Sequence, residues 1–232
     1  MIALHYESRF GLARGAVCVD GQPHLYAEGY EYDQSLTMVN VVSVTRLKSK
    51  AGGVAFLSLA DGAEAVLDVP QEAFARLVEG AALEIEIIAE PRQEKLARAR
   101  LIGAVKGEPR RISPVQSLKD RLLAQAAPLG GTLESIVDFD LLDAAEDAAL
   151  NPSGSLVGGG YLSIERTRAL IACDIDSAGG EGVLTPRAFA KACNERAVSD
   201  IGRRLRLSGL AGLVVIDLIG QRHDADRLRQ LL

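Results

Sequence analysis

The chain has 232 residues, 48 % of them hydrophobic and 25 % charged, with a formal net charge of −5. That length supports one large or two modest domains with cores of their own, and the acidic balance excludes a generally basic nucleic-acid binder while leaving room for a local basic patch. Aromatic residues make up 4 % and tryptophan is absent, so the cores have to be built from Leu, Val, Ile and Ala.

Cys18, Cys173 and Cys193 are odd in number and far apart, and no Cys-x-x-Cys pair exists. This argues against a structural zinc site and for free thiols in a reducing cytoplasm. The N-terminus has no basic stretch followed by an apolar run, and no run approaches the roughly eighteen apolar residues of a membrane span. The expectation is a cytoplasmic chain with no membrane partner.

In chain order, residues 1–37 read as short N-terminal strands. Ala16–Val19 and His24–Ala27 flank Asp20-Gly21-Gln22-Pro23, a turn signal that predicts a hairpin. Residues 38–103 are rich in strand patterns. Val39–Arg46 alternates and is β-branched, Ala51-Gly52-Gly53 turns into Val54–Leu59, and Asp61-Gly62 turns into Ala65–Val69. A helical piece from Gln71 to Val78 precedes Ala82–Ala89, and Lys95–Ile102 offers the last strand. Five strands with one short helix in that order predict an OB-fold barrel. Residues 104–155 read as linker and helices. Lys106–Pro114 carries two prolines and a glycine, Ser117 is placed to cap a helix, and Asp138–Leu150 is an acidic amphipathic helix, with Glu134 nearby, whose charges suit a solvated face.

Residues 156–232 carry the chemistry. Gly158-Gly159-Gly160 leads into a strand at Tyr161–Glu165, and a turn at Arg166-Thr167 leads into Ala169–Asp174. A long helix is predicted from Pro186 to Leu207 with Thr185 as its cap. Its Arg203, Arg204 and Arg206 suit the helix dipole and could also meet an RNA backbone. Gly209 and Gly212 then turn the chain into Leu213–Asp217, so that strand, helix and strand imply an α/β layer.

Two apolar strand-like runs thus end in Asp174 and Asp217, with Asp176 two residues past the first. Side chains alternate along a strand, so Asp174 and Asp176 share a face. Adjacent strands lie about 5 Å apart, close enough for one carboxylate from each to share a hard divalent cation, an arrangement suited to metal-assisted phosphodiester chemistry. Aspartates also follow buried strands where a turn or helix start comes next, and spacing alone leaves both readings open. Cys173 points to the opposite face, into a core. His223, near the second acid but beside Arg222 and Asp224, reads as a surface residue.

Three segments resemble the catalytic domain of the ribonuclease E/G family: Asp174-Ile175-Asp176-Ser177, Asn194-Glu195-Arg196-Ala197, and Leu205-Arg206-Leu207-Ser208-Gly209-Leu210-Ala211-Gly212-Leu213-Val214-Val215-Ile216-Asp217-Leu218-Ile219. They are similar to that family's apolar-Asp-apolar-Asn-Ser strand, its Asn-Leu-Glu-Ala-Ala helix and its Gly-Gly-Leu-Ile-Val-Ile-Asp strand, in the same order and spacing. The resemblance implies that Asp174 and Asp217 bind magnesium, with manganese as the alternate, and that Asp176 occupies the position of the family's Asn. Asp174, Asp217 and Asp176 are the expected catalytic residues. The barrel segment resembles the family's S1 domain through Val44-Thr45-Arg46-Leu47, Gly53–Gly62 and Glu90-Pro91-Arg92-Gln93-Glu94-Lys95. The RNA-binding residues this implies on the barrel are Phe56, Arg46 and Lys95, while Val66 stands where the family has a second aromatic; Arg110 and Arg111 of the linker could also touch phosphate, although a linker pair of arginines is more often solvated.

The expected fold class is therefore α+β and multidomain: an S1-type OB-fold barrel inserted after an N-terminal hairpin, then an α/β catalytic subdomain over 156–232. The expected function is metal-dependent cleavage of single-stranded RNA; the alternative is a non-catalytic RNA-binding module or fragment of such a nuclease. The family's 5′-monophosphate sensor insertion, its zinc-binding link and the end of its catalytic domain have no counterpart in these residues. A homo-oligomer or another chain completing the subdomain is accordingly an expected partner.

Overall fold

Strands β1 (Ile2–Arg9), β2 (Leu12–Val19) and β3 (Gln22–Tyr30) form an antiparallel meander. The structure is a computed structural model that describes residues 1–92, 95–130, 133–135, 137–177, 185–221 and 223–231, with the backbone alone described for 133–135. Gln93, Glu94, Arg222 and the Glu134 side chain, all invoked above, lie outside the described residues. Each turn of the meander is a two-residue connection with both residues at positive φ: Phe10 and Gly11 (54° and 79°), then Asp20 and Gly21 (49° and 77°). The hairpin expected at Asp20-Gly21 is β2–β3.

The residues Tyr32–Gln116 form a compact unit of their own. It holds β4 (Val42–Ala51), β5 (Val54–Ser58), β6 (Glu64–Asp68), helix α1 (Gln71–Arg76), β7 (Ala82–Ala89), β8 (Ala97–Ala104) and β9 (Arg110–Arg111). Pairing runs β5-β6-β8-β7-β4, and β4 also pairs with β5, which closes a five-strand barrel of OB-like form. Closure depends on β4 serving two neighbours. Val42–Arg46 pairs with β7 and Arg46–Ala51 with β5, with a register shift between Leu47 and Ser49 where the strand bends. Leu47, Leu57, Ile85 and Ile87 are all within 1 % of complete burial inside the barrel, each stabilising by about 1.5–3 kcal/mol. Ala55, Ala65, Ala97 and Ala99 fill its narrow parts. The stretch expected as a linker contributes β9, whose Arg111 and Arg110 pair with Ser43 and Val44 of β4.

The other unit consists of Met1–Glu31 and Ser117–Leu232. The Leu118 N–H donates to the Glu31 carbonyl at 2.7 Å, so the chain leaves and re-enters this unit at one point. Helix α2 (Leu118–Ala126) starts with a capping box in which Ser117 and Asp120 satisfy each other's backbone N–H groups. Its Leu118 and Leu122 pack on Ile2, Leu4, Val17 and Leu25 of the meander. Strand β10 (Leu133–Ser135) joins the same sheet parallel to β1. Helix α3 (Phe139–Leu150), capped by Asp138, places Leu142 and Ala145 against Ala16 and Cys18. Two acids expected on its solvated face instead meet Arg14 of β2, Asp143 at 2.7 Å and Glu146 at 2.9 Å. Hydrogen bonds to Glu7 and Asp143 hold the Arg14 pKa above its already high ordinary value.

The second sheet of this unit has the order β11 (Gly154–Ser155), β12 (Tyr161–Arg166), β13 (Ile171–Asp176), β14 (Val214–Asp217). Helix α4 (Pro186–Leu207) links β13 to β14, and the two strands are parallel, as a crossover helix requires. Thr185 caps α4 by accepting from the Ala188 N–H, with Pro186 in the first turn. Cys193, Ala197 and Ile201 of α4 pack on Leu162, Ile164, Cys173 and Ile175. Helix α5 (Ala225–Leu231) ends the described chain. Among the described residues no helix is long and apolar enough to cross a membrane. The architecture is α+β with a closed barrel, as the strand pattern predicts.

Candidate active site

The acidic residues are set by alternation on the second sheet. Along β13, Ile171, Cys173 and Ile175 are buried against α4, which turns Asp174 and Asp176 to the opposite, solvent-exposed face. On β14, Val214 and Ile216 pack inward while Val215 and Asp217 face out. The parallel register places Asp174 directly beside Asp217. Both are exposed, and no hydrogen bond or ion pair within the described residues occupies either carboxylate. Across the antiparallel pair, Ser163 of β12 stands beside Asp174, and Tyr161 beside Asp176. The open face therefore reads Ser163–Asp174–Asp217 in one row and Tyr161–Asp176 in the next. Ser163 and Tyr161 were not identified from sequence, because their membership depends on the β12–β13 register rather than on any local motif.

The carboxylate donor set is hard and oxygen-only, and two adjacent carboxylates are what a magnesium site draws from protein, the rest coming from water and substrate phosphate. Asp174 and Asp217 fit that requirement. Among the described residues no group of three or more His, Cys, Asp or Glu side chains gathers tightly enough to hold a metal. The arrangement is thus a pair with Asp176 alongside.

One turn of α4 fixes the strands from behind. Asn194, 3 % exposed, donates from Nδ2 to the Ile219 carbonyl and accepts from the Ile219 N–H, both at 3.0 Å, clamping the backbone two residues past Asp217. The Cys193 Sγ lies 3.9 Å from the carbonyl oxygens of Gly159 and Asp176, where β12 starts and β13 ends. Arg196 donates to the Gly159 carbonyl at 3.1 Å and lies over the Phe189 ring. Gly160 has no substitute here: φ is +96°, and a Cβ would stand 2.3 Å from the Cys193 Sγ.

Two of the three arginines near the end of α4, Arg203 and Arg204, are taken up by the fold. Arg203 and Arg204 are 13 % and 11 % exposed and share Asp200 at 2.6 and 2.7 Å. Arg203 also donates to the Pro23 carbonyl, and Arg204 to those of Pro152 and Ser155. Arg206 remains exposed. Burial opposes ionisation of Asp200, but hydrogen bonds from Arg203 and Arg204 outweigh it and hold its pKa below the ordinary carboxylate value.

The residues expected to bind RNA on the barrel are placed as follows. Phe56 is half-buried on the outer side of β5, between the inward-facing Ala55 and Leu57, and is no part of the barrel core. Val66, at the position of the absent second aromatic, is its direct cross-strand partner, and Arg98 is the next residue across. Arg46 is tied to Glu108 at 2.8 Å. Arg111 donates to the carbonyls of Ser113 and Ser35, and Arg110 to that of Glu108. Lys95 is exposed. Arg98 pairs with Asp68, Arg100 with Glu86 and Lys48 with Glu64, so these cations, like Arg46, already face a carboxylate.

A cavity of about 890 Å³ opens between the first turns of α4, the segment after β14 and α5, with Arg187, Lys191, Asn194, Ile219 and His223 in its wall. The three aspartates do not line it. His223 donates from Nε2 to the Gly220 carbonyl at 3.0 Å on its rim. Cys18, Cys173 and Cys193 are buried free thiols whose pKa values burial raises, the setting of structural rather than activated cysteines.

Residues 129–231, which contain all three aspartates and the clamping turn of α4, match the Ribonuclease E/G family. Ribonuclease E of Nostoc sp. is 35 % identical over 96 residues, which is 41 % of this chain and 14 % of that protein. Ribonuclease G of Escherichia coli is 34 % identical over 95 residues, 40 % of this chain and 19 % of the relative. A ribonuclease E/G-like protein of Porphyra purpurea is 29 % identical over 96 residues, 41 % of this chain and 19 % of the relative. The chain thus spans less than a fifth of the length of these curated relatives. Within the matched region Asn194 has a visible task, that of fixing the end of the second acidic strand.

Proposed function

We propose that the open face of Asp174, Asp176 and Asp217 is the cleavage face of a metal-dependent endoribonuclease acting on single-stranded RNA, with magnesium as the expected ion. The observation that carries this is the side-by-side register of Asp174 and Asp217 on an exposed sheet face, within the region that matches the ribonuclease E/G family. Clustered carboxylates alone repel a phosphodiester, so a cation has to stand between them and the substrate. When bound, it supplies Lewis-acid charge for the phosphate and lowers the pKa of a water.

The chain's own residues do the rest. Asp174 and Asp217 hold the ion. Asp176, at the position of the family's Asn, adds a third negative charge, which tightens cation binding and accepts a hydrogen bond from water at the site. Asn194 keeps Asp217 in place by holding Ile219. The barrel is the S1-type RNA-binding module in this reading. Phe56 offers a stacking surface, with Arg46, Lys95, Arg110 and Arg111 as its electrostatic contribution.

The test is cleavage of an internally labelled single-stranded RNA by the wild-type chain and by Asp217→Asn. Cleavage that requires magnesium and disappears in the variant supports the reading. The competing reading is a non-catalytic RNA-binding module, favoured by the outward placement of Phe56 on the barrel and the absence of a three-ligand cluster among the described residues. RNA binding without cleavage, unchanged by a chelator, selects it.

A further inference from the structure

We propose that Tyr161 forms a stacking subsite on the carboxylate face for the base of a single-stranded RNA nucleotide next to the one being cut. This rests on the nuclease reading of that face and adds a substrate contact to it. Tyr161 is the first residue of β12 and the register partner of Asp176. Partners in such a pair have Cβ atoms about 4.5–5.5 Å apart, and Asp174, diagonal to Tyr161, lies about 7–8 Å away. The ring is therefore within a nucleotide's reach of the Asp174–Asp217 pair.

Its side chain has no place in the core. Leu162 and Ile164 face α4, and Tyr161 projects to the other side with 42 % of its surface exposed. Other aromatics of the chain are also exposed, Phe10, Tyr30, Tyr32 and Phe139 among them, but Tyr161 stands in register with an acid of the candidate face. A planar base, stacked on the ring while its phosphate engages the metal-loaded carboxylates, is a ligand that suits both features.

The backbone beneath the ring is rigid, which spares RNA the cost of ordering it. Gly160 sits against Cys193, its carbonyl accepts from the Leu156 N–H at 2.9 Å, and the Gly159 carbonyl is held by Arg196. Tyr161 also pairs with Ser155 of β11.

The experiment measures binding of labelled single-stranded RNA with magnesium to the full chain and to Tyr161→Ala and Tyr161→Phe, with oligonucleotides that carry one abasic position moved along the strand. Loss of one stacked base corresponds to binding weaker by about 5- to 150-fold for Tyr161→Ala. Tyr161→Phe should stay within about twofold of wild type, whereas Tyr161→Ala should raise KM more than it changes kcat. At one abasic position the wild-type protein should bind as weakly as Tyr161→Ala, and the alanine variant should lose nothing further. Unchanged binding by Tyr161→Ala, equal loss by Tyr161→Phe, or additive losses at every abasic position would each overturn the stacking role. A wild-type chain that binds no single-stranded RNA removes the reading of the face and this subsite together; wild-type binding indifferent to Tyr161 removes the subsite alone.

Discussion

Replacing Asn194 tests whether the helix behind the sheet governs the acids in front of it. The side chain makes two hydrogen bonds of 3.0 Å to one residue, Ile219, and is 3 % exposed. Each bond contributes about 0.5–1.5 kcal/mol net, and each partner left buried without a replacement costs about 1–3 kcal/mol. Ile219 is half-buried, so water recovers part of the loss, and Asn194→Ala should destabilise by about 2–4 kcal/mol. Urea denaturation reads that value, and hydrogen exchange at the Ile219 amide reads it locally. Asn194→Asp gives a second, signed test. It keeps an acceptor for the Ile219 N–H but turns a carboxylate towards the Ile219 carbonyl, so burial and repulsion raise its folded pKa above the unfolded value of about 3.9. A raised acid pKa means that the folded state binds the extra proton. The variant is therefore destabilised at pH 7 and regains stability as pH falls through the folded pKa. Misplacing a reacting group by about 1 Å costs on the order of 100-fold in rate, so cleavage by Asn194→Ala below its melting range should fall by about 10- to 100-fold. Stability within about 0.5 kcal/mol of wild type, with the Ile219 amide still protected, would refute the clamp.

Two further substitutions probe the same scaffold. Gly160→Ala should destabilise by about 2–5 kcal/mol, the sum of about 1–2 for a left-handed backbone and about 1–3 for overpacking on Cys193. In urea denaturation, combining it with Cys193→Ala should recover the overpacking part, and strictly additive effects would show that the two residues do not collide. Asp200→Asn should cost about 1.5–3 kcal/mol at pH 7 by weakening the bonds to Arg203 and Arg204. Because the folded pKa of Asp200 is depressed, its stabilisation is present above the unfolded value of about 3.9 and is lost as pH falls through the folded one. The gap between wild type and variant should narrow in denaturation series carried down through the folded pKa; a gap independent of pH counts against the assignment.

What could be read in the sequence was whatever local chemistry decides. Thr185 followed by Pro186 marks the start of α4, and Ser208-Gly209 its end, because capping depends on immediate neighbours. The barrel strands show period two because one side of each is buried. Non-local features left no such mark. Strand β10 is three residues long and exists through its parallel pairing with β1, more than a hundred positions away in sequence. Arg203 and Arg204 look like any basic helix end until the carbonyls of Pro23 and Pro152 are brought against them. Asp174, Asp176 and Asp217 were legible as strand-end acids. That Tyr161 and Ser163 join them follows from the pairing of β12 with β13, which the residues themselves do not announce.

The exposure of the acids is a consequence of the core rather than an addition to it. Shifting β13 by one residue would bury Asp174 and Asp176 against α4 and turn Ile171, Cys173 and Ile175 to water, so the apolar face pins the register that presents the carboxylates. The same helix then reaches each of the three strands within a single turn. Cys193 meets the start of β12 and the end of β13, Arg196 holds Gly159, and Asn194 holds the chain just past β14. Packing energy and polar clamps thus act from one side of the sheet on the geometry of the other. A substitution in that turn of α4 should therefore alter the acidic face without touching it, whereas a substitution of Ser163 or Tyr161 should leave the fold intact and alter what the face binds.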